Sequence, residues 1–376
     1  YLLFLSRLLY SKLFVLGSTP GLWASLLLYL IVLGPYALLI GLLLPFAQKI
    51  SWIRGTGLDA TKVYVLDNIG DIIGAFLISL LLISNLKILS SLLISGSLLI
   101  LILYLLCLRL RDFLLLLLLI VSTFILFLPF KIDLDEKTLS SNYPNLKQYV
   151  DSPYGRIAVT ESMKEITIWE SGIPYILPGD VVNAEEKIHY PLSQIEEVEE
   201  ILLISGYSLE TISELSKYNP KAVDYVELDP MLINVAKANN VIKYENWLSI
   251  YTQDAKKFVH TTKRKYSAVI MDLPKPDTLQ LSRLYSLEFF RGVKDILCEK
   301  GIFSFSLEYN RNYQSPYQRQ TINILVSTLK AVFKDFIMIP GERLYILASD
   351  SKLSWDIPSL LRQKGIQTQF IESHYY

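Results

Sequence analysis

Four long uncharged stretches in the first third of the chain constrain its fold more than any other feature. They cover residues 21–48, 72–86, 88–108 and 113–130. A helix needs about 20 apolar residues to cross a bilayer. The first and third stretches meet this length, the fourth comes close, and the second meets it if its helix begins near Val63. The sequence therefore predicts a bundle of about four transmembrane helices over residues 1–130.

Two carboxylates fall inside the second predicted membrane helix if it begins near Val63. Asp67 and Asp71 are four residues apart and share one helix face, and Gly70 and Gly74 flank them at the spacing of close helix packing. Carboxylates inside a membrane are costly and mark functional sites by default. The alternative is a helix that starts at the interface, with both acids among the lipid headgroups.

Composition divides the chain into two parts of different chemistry. The mean hydropathy of +0.36 is high for a soluble protein, and the apolar residues are concentrated in residues 1–130, where eight Lys or Arg face four Asp and no Glu. The net charge of zero therefore hides a basic membrane part and a mildly acidic remainder. The sequence has no basic patch of the kind that would indicate nucleic-acid binding. Two cysteines and three scattered histidines predict neither a disulfide framework nor a metal site.

The residues after Lys131 predict soluble structure. Residues 131–150 are polar and read as a linker, and residues 154–161 and 164–170 read as a β-hairpin, which together give a small region over 131–183. Residues 184–199 predict a helix. A regular alternation follows, with predicted strands near 200–205, 222–228, 248–252, 266–272 and 301–307, and predicted helices near 208–217, 230–239, 254–262, 286–298 and 316–333.

This alternation predicts an α/β fold over residues 184–376, with helices on both sides of a parallel sheet. Residues 336–349 form a closing hairpin around Gly341, which gives the sheet an antiparallel edge. A Rossmann-like parallel sheet with an antiparallel C-terminal hairpin is the architecture of S-adenosylmethionine-dependent transferases. The likeness concerns the fold and does not by itself assign an activity.

Polar residues follow the predicted strands where each strand ends. In a doubly wound sheet the ligand lies at these carboxyl ends. Glu227 follows Gly206 by 21 residues, near the spacing at which a βαβ unit places an acid on a ribose. Each acid alone is more often a helix cap, but their succession predicts a nucleoside site. Its candidate residues are Ser205, Gly206, Tyr207, Glu227, Asp254, Ala255 and Asp272.

Five motifs together resemble one family, the spermidine/spermine synthases, or polyamine aminopropyltransferases. They begin at Asp151 (DSPYGRIAV), Ala184 (AEEKIHYPL), Tyr225 (YVELDP), Asp272 (DLPKP) and Leu284 (LYSLEFF). The resemblance runs from about Ser152 to the end of the chain. The whole chain looks more like a bacterial subgroup that joins such a domain to a multi-helix membrane region.

The resemblance implies transfer of an aminopropyl group from decarboxylated S-adenosylmethionine, a co-substrate, to a polyamine such as putrescine, without a metal. It implies that Glu227 holds the ribose, that Asp254 and Ala255 meet the adenine, and that Asp272 lies beside the reacting amines. The implied polyamine contacts come from Tyr154, Glu185 and Tyr285. The expected partners are a polyamine, the lipid bilayer and, as in the family, further copies of the chain.

The distribution of charges and the family resemblance give different locations for the soluble domain. The Lys and Arg residues on the two sides of the predicted helices weakly favour a soluble domain outside the cell, but the margin is small. The chain begins at Tyr1 rather than Met, so we expect a fragment or a processed chain with upstream helices. The expected location is the bacterial inner membrane, with the soluble domain in the cytoplasm.

Two departures from the family's pattern affect the predicted chemistry. The glycine-rich turn of the family retains only Gly206 here, and a side chain at positive φ costs about 1–3 kcal/mol. Lys275 stands where the family has a general base. A protonated Lys about 4 Å from an ammonium costs on the order of 4 kcal/mol. A desolvated neutral Lys275 could act as the base, or Lys275 could be a solvated loop residue.

The sequence is also compatible with two alternatives to the transferase. The residues Asp272-Leu-Pro-Lys275 weakly resemble the loop of amino-methyltransferases but lack its adjacent prolines and its aromatic residue. The second alternative is a catalytically impaired domain that binds a nucleoside or a polyamine and regulates the membrane helices. The loss of the glycines and the presence of Lys275 favour this alternative.

Overall fold

The computed structural model describes residues 2–14, 20–54, 60–79, 88–110, 113–131, 134–309, 314–341 and 343–371. The chain divides into two compact units, Tyr1–Thr160 and Glu161–Tyr376. The elements of the first unit, of which β2 ends just beyond the division, are α1 (Leu2–Leu13), α2 (Leu22–Arg54), α3 (Ala60–Leu77), α4 (Ile88–Leu110), α5 (Phe113–Lys131), α6 (Leu134–Ser140), β1 (Leu146–Asp151) and β2 (Arg156–Ser162).

One helix in the described part of the chain is long and apolar enough to cross a membrane, the Leu22–Lys49 portion of α2. Large apolar side chains such as Trp23 and Leu38 are exposed along it. The apolar segments found in α4 and α5 are shorter, at Ile94–Leu105 and Leu116–Leu128. The predicted bundle of about four membrane helices is therefore not confirmed, and part of the second predicted stretch lies outside the described residues.

The two carboxylates singled out in the sequence lie in the middle of α3. Asp67 and Asp71 are both exposed. A Cβ atom built on Gly70 or Gly74 would meet no described atom within 4 Å. The described residues therefore give no support to close helix packing at these glycines. The membrane role of the two carboxylates stays a prediction.

The predicted linker over residues 131–150 contains regular structure. α6 buries Thr138 and Leu139, and its Asp135 forms an ion pair with Arg7 of α1. β1 pairs antiparallel with β2, with Val150 opposite Ile157. A short stretch of mixed polarity thus forms a helix and a strand because neighbouring elements complete its packing, which the local sequence does not reveal.

The predicted hairpin between residues 154 and 170 is present as β2 and β3 (Glu165–Glu170). Its two-residue turn, Met163-Lys164, has positive φ at both positions, 51° and 70°. This is the conformation of a type I′ turn, whose twist suits a tight hairpin. With β1 and β4 (Ile173–Ile176) the hairpin forms a four-stranded sheet in the order β1-β2-β3-β4.

The second unit contains the α/β alternation that the sequence predicts. Its further elements are α7 (Val181–Ser193), β5 (Glu200–Ile204), α8 (Leu209–Ser216), β6 (Ala222–Glu227), α9 (Pro230–Ala238), β7 (Leu248–Thr252), α10 (Ala255–Thr261), β8 (Tyr266–Met271), α11 (Leu279–Ser282), α12 (Leu287–Ile296), β9 (Leu297–Leu307), α13 (Pro316–Lys330), β10 (Asp335–Pro340), β11 (Leu344–Ser349) and α14 (Ile357–Lys364).

The large sheet has seven strands in the order β10-β11-β9-β8-β5-β6-β7. The pairs from β9 to β7 are parallel, whereas β11 pairs antiparallel with both β9 and β10. The predicted parallel sheet with an antiparallel C-terminal hairpin is thereby confirmed. The chain leaves β5 toward β6 and β7 on one side and returns to β8 and β9 on the other. Ligands of such sheets bind at this reversal, outside the carboxyl ends of the strands.

The helix predicted at residues 184–199 lies further toward the N-terminus, at Val181–Ser193. Asp180 caps its start by accepting a hydrogen bond from the backbone N–H of Asn183 at 3.3 Å. Pro191 lies in its last turn, where its missing N–H weakens the continuation of the helix. The acidic residues that follow therefore precede β5 as an extended segment.

Candidate functional site

The turn after β5 has an unusual backbone. Ser205 and Gly206 both adopt positive φ, 62° and 72°. For serine this conformation costs about 1–3 kcal/mol. The buried Ser205 hydroxyl forms hydrogen bonds with the Tyr175 hydroxyl at 2.8 Å and with Glu227 Oε2 at 3.3 Å. These contacts offset part of the strain and explain how the turn forms without the family's other glycines.

Gly206 is required by its closeness to Asp272 at the end of β8. A Cβ atom on Gly206 would lie 2.4 Å from Asp272 Cβ and 2.5 Å from Asp272 Oδ2. The backbone N–H of Asp272 donates to the carbonyl of Ile204 at 3.0 Å. The structure therefore brings the predicted residues Gly206 and Asp272 together at the point where the strand order reverses.

Tyr207 points away from the strand ends. Its side chain is buried, and its ring lies 5.4 Å from the ring of Tyr225. Its hydroxyl accepts a hydrogen bond from the backbone N–H of Lys243 at 2.7 Å. Burial is the main reason that the pKa of Tyr207 rises to about 12. The large side chain in the turn is thus accommodated in the core and leaves the crevice open.

Glu227 ends β6 and collects several donors on one buried carboxylate. It accepts hydrogen bonds from the backbone N–H of Leu228 at 2.7 Å and from the Tyr225 hydroxyl at 2.9 Å. The Tyr175 hydroxyl of β4 also donates to Glu227, while it accepts from the backbone N–H of Gly206 at 3.3 Å. A hydroxyl group held between an acid and a backbone N–H is the arrangement that a ribose hydroxyl requires.

Two further carboxylates lie near Glu227. The buried Asp229 caps α9 with one oxygen, which accepts from Met231 at 2.8 Å, whereas its Oδ2 has no hydrogen-bond partner among the described residues. Burial, together with the charges of Glu227 and Asp229, raises the pKa of Glu170 on β3 to about 7. Sequence reasoning missed Glu170 because it lies on the small sheet, outside the strand-end motifs.

Asp254 caps α10 and accepts from the backbone N–H of Lys257 at 3.0 Å. Arg283 forms an ion pair with its other oxygen. Asp254 and Ala255 line a small cleft together with Glu227 and Ser205, so four of the predicted residues share one space. The full lining is Ile204, Ser205, Val226, Glu227, Leu228, Gln253, Asp254, Ala255, Leu273, Gln280, Leu281, Arg283 and Leu284.

Asp272 lies between two basic side chains. Lys187 of α7 forms a buried ion pair with Oδ2, and Arg343 Nη1 lies 3.4 Å from Oδ1. Burial raises the pKa of Asp272, but Lys187 and Arg343 outweigh this effect, so the pKa is lowered. Sequence reasoning missed both cations. The sequence around Lys187 could have indicated its role. A Lys between Ala184 and Ile188 on a buried helix face requires an anionic partner.

Lys275 does not lie in a desolvated place. Its side chain is about half exposed and its Nζ lies 3.2 Å from Asp277 Oδ2. The hydrogen bond to Asp277 is the main reason that its pKa is raised. A Lys with a raised pKa is protonated at neutral pH and does not act as a base. The geometry therefore favours the solvated-loop interpretation, and a catalytic role for Lys275 stays a prediction.

Two of the three predicted substrate residues make structural contacts with their side chains. The buried Glu185 accepts hydrogen bonds from the backbone N–H groups of Gln369 at 2.6 Å and Phe370 at 2.9 Å. The Tyr285 hydroxyl donates to the carbonyl of Pro274 at 3.0 Å, and burial raises its pKa. Tyr154 belongs to the first unit and is exposed in the turn between β1 and β2. Their roles toward a substrate remain predictions.

One part of the chain matches a known protein family. Residues 182–340 match the spermine/spermidine synthase domain. After this match we refer to residues 182–340 as the synthase domain. This domain contains Lys187, Glu227 and Asp272, and it ends at Pro340, three residues before Arg343.

Curated relatives of this synthase domain are polyamine aminopropyltransferases. Polyamine aminopropyltransferase 2 of Aquifex aeolicus is 30% identical over 190 residues, which cover 48% of this chain and 38% of that protein. The polyamine aminopropyltransferase of Sulfolobus acidocaldarius is 29% identical over 204 residues, which cover 49% of this chain and 62% of that protein. The chain thus spans less than two thirds of the length of either relative.

Solved structures share the fold of the synthase domain. A spermidine synthase in complex with the transition-state analogue AdoDATO aligns with a TM-score of 0.52 at 18% identity, covering 61% of this chain and 83% of that one. Spermidine synthase from Thermotoga maritima aligns with a TM-score of 0.51, also at 18% identity, covering 61% and 82%. At this identity the likeness concerns the fold alone.

Proposed function

We propose that the chain is an aminopropyltransferase that moves an aminopropyl group from decarboxylated S-adenosylmethionine to an amine. The observation that carries the proposal is the crevice at the reversal of the strand order. Gly206, Glu227, Asp254 and Asp272 lie there at the carboxyl ends of four neighbouring strands. The synthase-domain match over residues 182–340 supports it independently. The names of the curated relatives supply the reaction class.

In this proposal Glu227 binds the ribose hydroxyls of the donor. The Tyr175 hydroxyl now holds the position that a ribose hydroxyl would take, since it lies between Glu227 and the N–H of Gly206. Tyr175 must therefore move aside when the nucleoside binds. Asp254 and the start of α10 bind the adenine, which requires Arg283 to share its carboxylate.

The main contribution of the protein to this reaction is to orient the acceptor amine toward the donor. The sulfonium of the donor is already a good leaving group, so the site must hold an unprotonated amine in line with the carbon that it attacks. Asp272 is suited to orient the amine by its charge. Its lowered pKa makes it a weak base, so the proton of the amine goes to solvent or is lost before attack.

We also propose that the protein is attached to a membrane through α2. The support is the length and apolar character of Leu22–Lys49 and the exposure of its large apolar side chains. The bacterial inner membrane, a cytoplasmic synthase domain and putrescine as the acceptor are the finer parts of this proposal. They rest on the resemblance to the membrane-fused subgroup.

Glu227→Gln tests the transferase proposal. The variant keeps the shape of Glu227 but removes the charge that accepts two hydroxyls, and we expect release of 5′-methylthioadenosine to fall by about 100-fold, equivalent to about 2.7 kcal/mol. Glu196→Gln is the matched control, because the Glu196 side chain is exposed and its carboxylate pairs with Lys300 at 3.5 Å. Equal activity of the two folded variants would contradict the proposal.

The competing non-catalytic function has one specific observation in its favour. Asp272, the group assigned to the substrate amine, already has two basic partners within the protein. A domain that only binds a nucleoside would need Glu227 and Asp254 but not a free Asp272. Nucleoside binding that depends on Glu227, without any product, would support this function over the transferase.

A further inference from the structure

The charge around Asp272 is poorly matched to a simple diamine such as putrescine, the acceptor that the resemblance implies. Its carboxylate is shared between Lys187 and Arg343, whose nitrogens both lie within ion-pair distance. Lys187 also donates to the carbonyl of Gly206 at 3.0 Å, which fixes the ammonium at the turn. The three ionised groups together carry one positive charge. A further ammonium brought to this place by a substrate would meet two like charges.

Arg343 has an unused donor. Its Nη1 lies near Asp272, but its Nε is buried and has no hydrogen-bond partner among the described residues. A buried N–H without an acceptor is costly, and an acceptor supplied by a ligand removes that cost. The guanidinium fork of arginine matches the geometry of carboxylate and phosphate groups.

The other charged groups nearby do not meet this donor in the described contacts. Glu186 is buried and is directed at Gly341, where a built Cβ atom would lie 2.4 Å from its Oε1. It accepts a hydrogen bond from the Tyr190 hydroxyl at 3.1 Å. Lys275 pairs with Asp277 in the exposed loop after β8. The unpartnered donor beside Asp272 is therefore that of Arg343.

We propose that a substrate of this site carries a carboxylate beside its amine, as an α-amino acid group does. A small shift of the Arg343 side chain, which is 24% exposed, lets its buried Nε bind the carboxylate, and Asp272 faces the ammonium. This inference rests on the proposed function, since it names the substrate class of the same site. The carboxylate comes either from the donor, as intact S-adenosylmethionine, or from an amino acid acceptor.

The reaction balances in both cases. The nitrogen of the acceptor amine forms a bond to the sulfur-bound carbon of the donor's chain, which is aminopropyl in decarboxylated S-adenosylmethionine and 3-amino-3-carboxypropyl in the intact molecule. The bond from that carbon to sulfur breaks with its electron pair going to sulfur. 5′-Methylthioadenosine leaves, and the amine proton goes to solvent. The carboxylate is retained in the product, where its mass identifies the molecule that supplied it.

Two matched pairs of compounds test the inference on the purified full chain. S-adenosylmethionine and its decarboxylated form differ by one carboxylate, and so do ornithine and putrescine. We would measure dissociation constants by calorimetry and products by mass spectrometry. At least one carboxylated compound should bind about tenfold more tightly than its partner, a difference of about 1.4 kcal/mol. The pair that shows the preference identifies the source of the carboxylate.

Variants assign the preference to the cations. Arg343→Gln should abolish the tenfold preference, and Lys187→Met should reduce it because one of the two positive charges is lost. Arg264→Gln is the matched control. Arg264 also pairs with an aspartate, Asp224, at 3.2 Å, but it precedes β8, at the opposite end of the sheet from the crevice. Its variant should keep the preference.

The outcomes separate this inference from the proposed function. Tighter binding of both compounds without the carboxylate, with 5′-methylthioadenosine formed, would overturn the inference and leave the transferase standing. A carboxylate preference without product would uphold the inference and overturn the transferase. A preference that persists in folded Arg343→Gln, a preference that is undiminished in folded Lys187→Met, or a failure to bind any of the four compounds would also overturn the inference.

Discussion

Gly206 is the residue on which two constraints of the site meet. It adopts a φ of 72°, which disfavours any side chain, and its Cα faces Asp272 so closely that a Cβ atom would overlap the carboxylate group. The neighbouring Ser205 tolerates a similar φ because its hydroxyl is hydrogen-bonded. The turn therefore keeps glycine only where contact with the next functional residue demands it.

Gly206→Ala should destabilise the protein by more than backbone strain at this position alone explains. We expect it to lower the free energy of unfolding by about 2–4 kcal/mol and to abolish nucleoside binding, because Asp272 must shift. Gly365→Ala is the control, since Gly365 has a φ of 68° and no described atom within 4 Å of a built Cβ. Denaturant unfolding of both variants measures the difference. Equal losses of stability would show that the contact with Asp272 is not decisive.

At the scale of secondary-structure elements, a buried histidine links α7 to α8. His189 Nε2 lies 2.7 Å from Glu214 Oε2, and its Nδ1 lies 2.8 Å from the Tyr218 hydroxyl. Burial raises the pKa of Glu214, but the hydrogen bonds from His189 and Lys217 outweigh it, and the pKa is lowered from its ordinary value of 4.5. This contact holds α7, and with it Lys187, against the sheet.

The lowered pKa of Glu214 predicts how the stability of this contact depends on pH. A carboxyl group with a lowered pKa in the folded state stabilises the fold above its unfolded pKa, and this stability is lost as pH falls through the folded pKa. Glu214→Gln should therefore lower the free energy of unfolding at pH 7 by about 1–3 kcal/mol, which a lower thermal unfolding midpoint would report. The difference from the unmutated chain should shrink below pH 4.5. A constant difference from pH 7 to pH 3 would contradict this account.

The elements of the synthase domain could be predicted from sequence because each strand and helix carries its own apolar pattern. β5 to β9 and the closing hairpin β10–β11 lie within a few residues of their predicted positions. α6 and β1 could not be predicted, since their packing partners come from elsewhere in the chain. The displaced start of α7 depends on the cap formed by Asp180, a signal that sequence reasoning overlooked.

The acidic residues of the candidate site could be predicted from the sequence, but its basic residues could not. The strand-end residues Glu227, Asp254 and Asp272 follow from the fold, because parallel strands bring their carboxyl ends to one edge. Lys187 and Arg343 belong to a helix and to the closing hairpin, so their pairing with Asp272 depends on tertiary structure. Sequence motifs predicted an acidic site, whereas the folded chain supplies basic partners for its central acid.

At the scale of the whole molecule, the apolar first third of the chain predicts that the protein is recovered with membranes. The Leu22–Lys49 helix is long enough to cross a bilayer. We expect the full chain to remain with the membrane fraction after washing at alkaline pH, because transfer of such a helix to water exposes more than 20 apolar residues. Recovery of the chain in the soluble fraction would contradict membrane attachment through α2.

The release of 5′-methylthioadenosine by the purified full chain is the measurement that tests the central claim most directly. The chain would receive S-adenosylmethionine or its decarboxylated form, each with and without an amine. The account predicts 5′-methylthioadenosine only when an amine is present, together with an amine product whose mass has increased by the transferred group. S-adenosylhomocysteine as the product, or no product from a folded chain that binds the nucleoside, would contradict it.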